Sequence, residues 1–126
     1  MKILVHKFSL ILIALLLSNT LQGQTRVDEE VRLLIDSVAQ SGCTFERNGK
    51  SYEAGDAADH LTLKFKRGKK YAKNSENFID RLASKSSLSG KPYHIACPGQ
   101  EKMTSGDWLH QKLTSLRQVK QESLRK

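Results

Sequence analysis

Two cysteines, two prolines, two methionines and one tryptophan in 126 residues leave several functional classes without material. With no C-x-x-C pair, a thioredoxin-type redox centre is excluded, and two cysteines without a matched histidine cluster make a poor zinc site. The four histidines fall at His6, His60, His94 and His110, so the H-x-x-x-H spacing of a helical metal motif does not occur. There is no G-x-x-x-x-G-K-[ST] phosphate loop and no G-x-S-x-G nucleophile elbow. No internal repeat or long linker divides the chain, and no apolar run reaches the ~20 residues of a membrane-spanning helix. No cofactor is expected.

The longest apolar stretch is Phe8 to Leu17, interrupted only by Ser9. It follows a start that carries Lys2 and Lys7 but no acid, and it gives way to the short, mostly polar Ser18 to Gly23. That is the three-part layout of a secretory signal peptide. The expectation is a cleaved leader over 1–23 and a single small domain over 24–126, with a periplasmic or secreted location. No cysteine lies near the end of the apolar run, so neither a lipid anchor there nor a transmembrane anchor after cleavage is expected. The formal charge of +8 favours encounter with anionic material but says nothing about fold. In an oxidising compartment Cys43 and Cys97 have one intramolecular pairing open to them, and a structural disulfide is expected.

Apolar residues at Val27, Val31, Leu34, Ile35 and Val38 form one stripe of an amphipathic helix, capped by Thr25 or Asp28 and ended by Gly42. Asn48-Gly49 between two short runs is a hairpin signal, because a type I′ turn needs positive φ at both central residues. Alternation places Cys43, Phe45 and Arg47 on one face, with Tyr52 returning beside Phe45. A second helix from Gly55 or Asp56 to about Tyr71 turns Lys64, Lys66, Arg67, Lys69, Lys70 and Lys73 mostly outward, with Gly68 weakening it. Asn74 opens a third helix with Phe78, Ile79 and Leu82 inward. Lys91 to Cys97 reads as a strand in which Tyr93, Ile95 and Cys97 share a face, and a Cys43–Cys97 bond sets it antiparallel to the hairpin's first strand. Ser105 caps a last helix through Val119, with Trp108 as a core anchor and a frayed tail from Gln121 to Lys126. The order is α-β-β-α-α-β-α, an α+β domain in which a small antiparallel sheet, hairpin plus one later strand, packs with about four helices.

Several strings together resemble one family: Phe45-Glu46-Arg47-Asn48-Gly49, Ala57-Ala58-Asp59-His60-Leu61 with Lys64, Phe78-Ile79-Asp80, and Ala83-Ser84-Lys85-Ser86-Ser87-Leu88-Ser89-Gly90-Lys91-Pro92-Tyr93. The chain is similar to the YfeK-like family of exported bacterial proteins, a domain of unknown function. The likeness runs from about Val27 to Leu116, and the serine-rich string followed by Gly-Lys-Pro-Tyr is its most specific part. It implies a bacterial periplasmic home and no particular activity.

Two constellations carry candidate chemistry. Ser84, Ser86, Ser87, Ser89, Lys91 and Tyr93 lie on a helix-to-strand connection that offers hydroxyls, backbone N–H groups and an amine, the ingredients of an anion or carbohydrate site. The plainer reading is a helix end whose serines satisfy orphan carbonyls while Gly90 makes the turn. His60 has Asp56 one turn before it, and an aspartate at that spacing can orient an imidazole. The sequence therefore points first to a non-catalytic binding or interaction module using the serine-rich loop, with Ser84, Ser86, Ser87, Ser89, Lys91, Tyr93 and His60 as ligand-binding candidates. An anionic envelope component or a periplasmic protein is the expected partner, and specific nucleic-acid binding is not expected. The rivals are a small envelope-acting hydrolase using His60 with a loop serine, and an inhibitor that inserts the Asn48-Gly49 tip into an enzyme.

Overall fold

In a computed structural model the protein is described over residues 22–126. The leader expected over 1–23 lies almost wholly outside the described residues. Helix α1 covers 22–39 and buries Val31, Leu34 and Val38 completely, with Val27 and Ile35 packed beside them. It is already under way before Thr25 and Asp28, so neither acts as its cap; Asp28 instead accepts from Lys69 Nζ at 2.9 Å. Gly42, at φ 66°, turns the chain out of the helix, a conformation that costs a residue with a Cβ 1 kcal/mol or more.

Strands β1 (Thr44–Arg47) and β2 (Lys50–Glu53) form the expected hairpin, with Asn48 at φ 51° and Gly49 at φ 77°. Phe45 pairs with Tyr52 across it. Strand β3 (His94–Ala96) lies antiparallel to β1, with Thr44 opposite Ala96 and Phe45 opposite Ile95. One step further along that ladder, Cys43 and Cys97 are joined in a disulfide. A two-residue strand, β4 (Met103–Thr104), adds to β3 and completes the order β2-β1-β3-β4. Two residues running straight into a helix leave no alternation to read, so this strand had no signature in the sequence.

Helix α2 (Ala54–Gly68) passes at Gly68 into a short 3-10 turn, Lys69–Tyr71. Glycine lets the helix pack close there, since a Cβ at residue 68 would lie 2.6 Å from Leu82 Cδ2 and push that side chain aside. Helix α3 (Ser75–Asn77) opens with Asn74 Oδ1 accepting from Asn77 N at 2.7 Å, as its sequence predicts. It continues as a π-helical stretch, Phe78–Ala83, that buries Phe78, Ile79, Leu82 and Ala83. Helix α4 (Ser105–Arg125) is capped by Thr104, whose Oγ1 accepts from Asp107 N, rather than by Ser105. Its last turns are helical to Arg125, over the expected frayed tail, in keeping with the good helix formers Lys120, Gln121, Glu122, Leu124 and Arg125.

The core fills the space between the apolar face of the sheet and the helices. Phe45 meets Trp108 edge-to-face at 6.5 Å, and Phe65 meets Phe78 the same way at 5.6 Å. On the far side Arg117 of α4 bonds both Glu30 of α1 and Glu76 of α3, while Ser75 donates to Glu30. The Arg117 bonds hold both carboxyls below their ordinary range. Three helices are thus tied together through one guanidinium.

Candidate functional site

The hairpin, α2 and the connection from the π-helical stretch to β3 converge on two adjoining hollows. The outer groove, of about 680 Å³, is bordered by Arg47, Lys50, Lys64 and Arg67, and no carboxylate lines it among the described residues. The inner cavity, of about 200 Å³, is mainly apolar, with Phe45, Leu61 and Leu109 in its wall. Arg47, Tyr52, His60 and Tyr93 border both spaces and so form the neck between them.

Arg47, on the last position of β1, reaches α2: its Nη1 lies 2.6 Å from both ring nitrogens of His60, and its Nη2 donates to Tyr52 Oη at 3.1 Å. Nη1, equally far from both nitrogens, lies off either lone-pair axis, so the guanidinium packs against the imidazole rather than bonding one nitrogen. Burial first, then the charges of Arg47 and Lys64, hold the His60 pKa below its ordinary 6.5. Lys64, one turn beyond His60, donates to Lys85 O at 2.9 Å and to Tyr93 Oη at 3.2 Å. Burial, with Arg47 as the second cause, brings the Lys64 pKa down from 10.5 to about 8. Burial likewise pushes the Tyr93 phenol above its ordinary 10.0. Neither Arg47 nor Lys64 forms an ion pair among the described residues.

Two half-buried cations facing each other without a carboxylate is an unfavourable arrangement for a free protein, and its cost is visible in pH. Lys64 is protonated in both folded and unfolded states well below pH 8. Between about 8 and 10.5 the folded state gives up the proton first, so the stability penalty of that charge is relieved as pH rises. Tyr93 works in the opposite sense above about pH 10, since the unfolded phenol ionises first. Urea titrations should therefore find stability rising between pH 8 and about 10, and the rise should vanish in Lys64→Met; a flat wild-type profile would refute the buried-cation assignment. His60 acts at the other end: below pH 6.5 the unfolded chain takes up the proton first, and stability falls.

The serine-rich connection follows the plainer of its two readings, a helix end closed by hydroxyls and turned at Gly90. Ser84 Oγ donates to Ile79 O, closing the π-helical stretch. Ser86 is buried, and its Oγ accepts from Asn48 Nδ2, Leu88 N and Ser89 N, while Ser89 Oγ donates to Asn48 Oδ1. These hydroxyls build the turn and clamp it to the hairpin tip. Ser86 and Ser87 border the outer groove, and Lys91 is exposed beside Gly90, which has φ 70°. Of the residues singled out from sequence, the fold brings together His60, Tyr93, Ser86 and Ser87 at one groove. Asp56 borders the inner cavity but is not hydrogen-bonded to His60; Arg47 packs against the ring instead.

Arg47, Tyr52 and the inward turn of Lys64 carry little signal in the sequence, where Lys64 falls among cations expected to face outward. The one available signal was the alternation that put Arg47 on the same hairpin face as Cys43 and Phe45. A cation on an apolar face has to find a polar neighbour or a ligand.

Fold and site together define a small disulfide-linked α+β domain with a cationic neck opening onto an apolar cavity. Among the described residues no helix is long and apolar enough to cross a membrane. The chain belongs to a family of unknown function (DUF5329), whose profile matches residues 25–117. It is similar to the uncharacterized protein YfeK of Salmonella typhimurium (strain LT2), with 37% identity over 84 residues, covering 64% of this chain and 70% of that one. No solved structure matches the chain.

Proposed function

We propose that the domain is a non-catalytic, exported binding module that holds an oxyanion where the neck meets the outer groove, between Arg47 and Lys64. The observation that carries this reading is the pair of half-buried cations with no carboxylate partner, in a groove bordered by two further cations. Both side chains keep donors in reserve. Arg47 commits Nη2 to Tyr52, and Lys64 commits two of its three protons. An anion would accept what remains and remove the mutual repulsion. A periplasmic setting is supported by the leader-like start and by the disulfide, since such bonds persist in oxidising compartments.

The same geometry weighs against a hydrolase built on His60. A general base that takes a serine proton must become an imidazolium, and a carboxylate neighbour stabilises that state. Here the neighbour is a guanidinium, which opposes it. Among the described residues no loop serine is hydrogen-bonded to the ring: Ser84 donates to Ile79 O, and Ser86 accepts from N–H groups of the turn.

The test is an NMR titration of the oxidised protein with inorganic phosphate. Saturable shifts centred on Arg47, His60 and Lys64 are expected, with affinity at least about tenfold weaker in Arg47→Gln, the cost of a lost charge-assisted bond. Shifts that never saturate, or that are unchanged in the variant, would overturn the assignment.

A further inference from the structure

Ser105, the first residue of α4, borders the inner cavity. It is 2% exposed, and its Oγ has no hydrogen-bond partner. Its backbone N–H is spent on Tyr93 O at 2.9 Å, and the helix start is capped by Thr104, so the orphan group is the hydroxyl alone. A buried hydroxyl left unsatisfied costs on the order of 1–3 kcal/mol. Substitution by alanine would remove that cost; the residue borders the inner cavity, and a χ1 rotation would turn the hydroxyl, now closed off, toward that space.

The size of that space sets the size of the occupant. An apolar cavity of about 150 Å³ takes a benzene molecule. At about 200 Å³ the inner cavity admits a six-membered ring or a branched chain of similar bulk, with room for one small substituent. Phe45, Leu61 and Leu109 supply its apolar wall, and the cationic neck lies at its mouth. Glu46 also borders the cavity, but Lys102 engages it at 2.8 Å. Asp56 borders it too, but is exposed to solvent, which leaves Arg47, the adjoining Lys64 and the Ser105 hydroxyl as the groups that call for a complement.

We infer that the ligand is an amphipathic acid: a compact, ring-sized apolar body in the inner cavity, an oxyanion head at Arg47 and Lys64, and a polar substituent meeting Ser105 Oγ. This rests on the oxyanion reading of the neck and adds the chemistry of the rest of the molecule. The head is a carboxylate or a phosphate monoester, which the neck accommodates alike. Elongated acyl chains are disfavoured because the inner cavity is short.

Calorimetry on the oxidised protein tests it with acetate and inorganic phosphate as heads alone, benzoate and phenyl phosphate as head plus body, benzyl alcohol as body alone, and 4-hydroxybenzoate as the complete pattern. Benzoate should bind at least about tenfold tighter than acetate, since a buried ring removes enough apolar surface from water for that gain. Phenyl phosphate against benzoate then decides between the two heads. 4-Hydroxybenzoate should bind more tightly than benzoate to the wild type and equally to Ser105→Ala. Ala57→Leu, which projects a larger side chain into the cavity, should erase the advantage of benzoate while leaving acetate unchanged. Equal affinities for acetate and benzoate would overturn the inference and leave the oxyanion neck standing. Equal affinities for benzoate and benzyl alcohol would overturn the neck itself. No binding of any probe would overturn both and leave a water-filled cavity. The wild-type series decides between these outcomes even if a variant fails to fold.

Discussion

Removing the Cys43–Cys97 bond should lower stability by about 3–4 kcal/mol and the thermal midpoint by about 15–25 °C. The residues it joins are 54 apart in sequence. In the chain-entropy model a cross-link of that span removes about 4 kcal/mol of freedom from the unfolded ensemble. For a domain of this size, total stability is on the order of 5–15 kcal/mol. The folded partners stay well placed without the bond, since Cys43 is buried and the ladder next to it runs through Thr44 and Ala96. The loss should therefore come mainly from the unfolded state, and the reduced protein should keep its fold at low temperature. Calorimetry of the oxidised protein against Cys43→Ala/Cys97→Ala measures it. A midpoint change under about 5 °C would mean that reduced chains retain enough residual structure to make the cross-link nearly redundant.

Phe78→Ala is expected to cost about 3–5 kcal/mol, the range for deleting a buried phenyl. Phe78 is wholly buried where α3 passes into the π-helical stretch, with Phe65 of α2 set edge-to-face against it. Its backbone N–H still bonds Asn74 O, so the substitution leaves the helix start intact and empties the packing. Four and five residues on, Leu82 borders the outer groove and Ala83 the inner cavity. Loss of the ring should therefore also speed amide exchange along 78–83 and slacken both walls. Urea unfolding with hydrogen exchange checks the two effects together; a cost below about 2 kcal/mol would show that the surroundings collapse to fill the space.

Local chemistry made much of the architecture readable in advance. Asn48-Gly49 announced its turn because few other residue pairs accept positive φ twice in succession. Cys43, Phe45, Tyr93 and Ile95 announced their shared face by alternation, and the cysteines fixed the register of β3 on β1. The site was far less readable because its contacts are distant in sequence: Arg47 finds His60 thirteen residues on, and Lys64 finds Tyr93 twenty-nine residues on. On its own helix Lys64 looks like Lys66 or Lys70. Only the arrival of β3 and the serine-rich turn beside it separates them. The serines misdirected the reading for a related reason, as hydroxyls that close a turn and hydroxyls that await a ligand are identical in a sequence. The π-helical stretch left no pattern, because one extra residue in a turn shifts a short helix's faces too little to show.

The sheet ends in four residues at β2 on one side and two at β4 on the other. An approaching strand could form only a handful of backbone bonds with either margin, and at β2 it would meet Lys50 first. Brevity at both margins thus guards the domain against strand-swapped association and fibril growth, a safeguard of most use before the cross-link has formed.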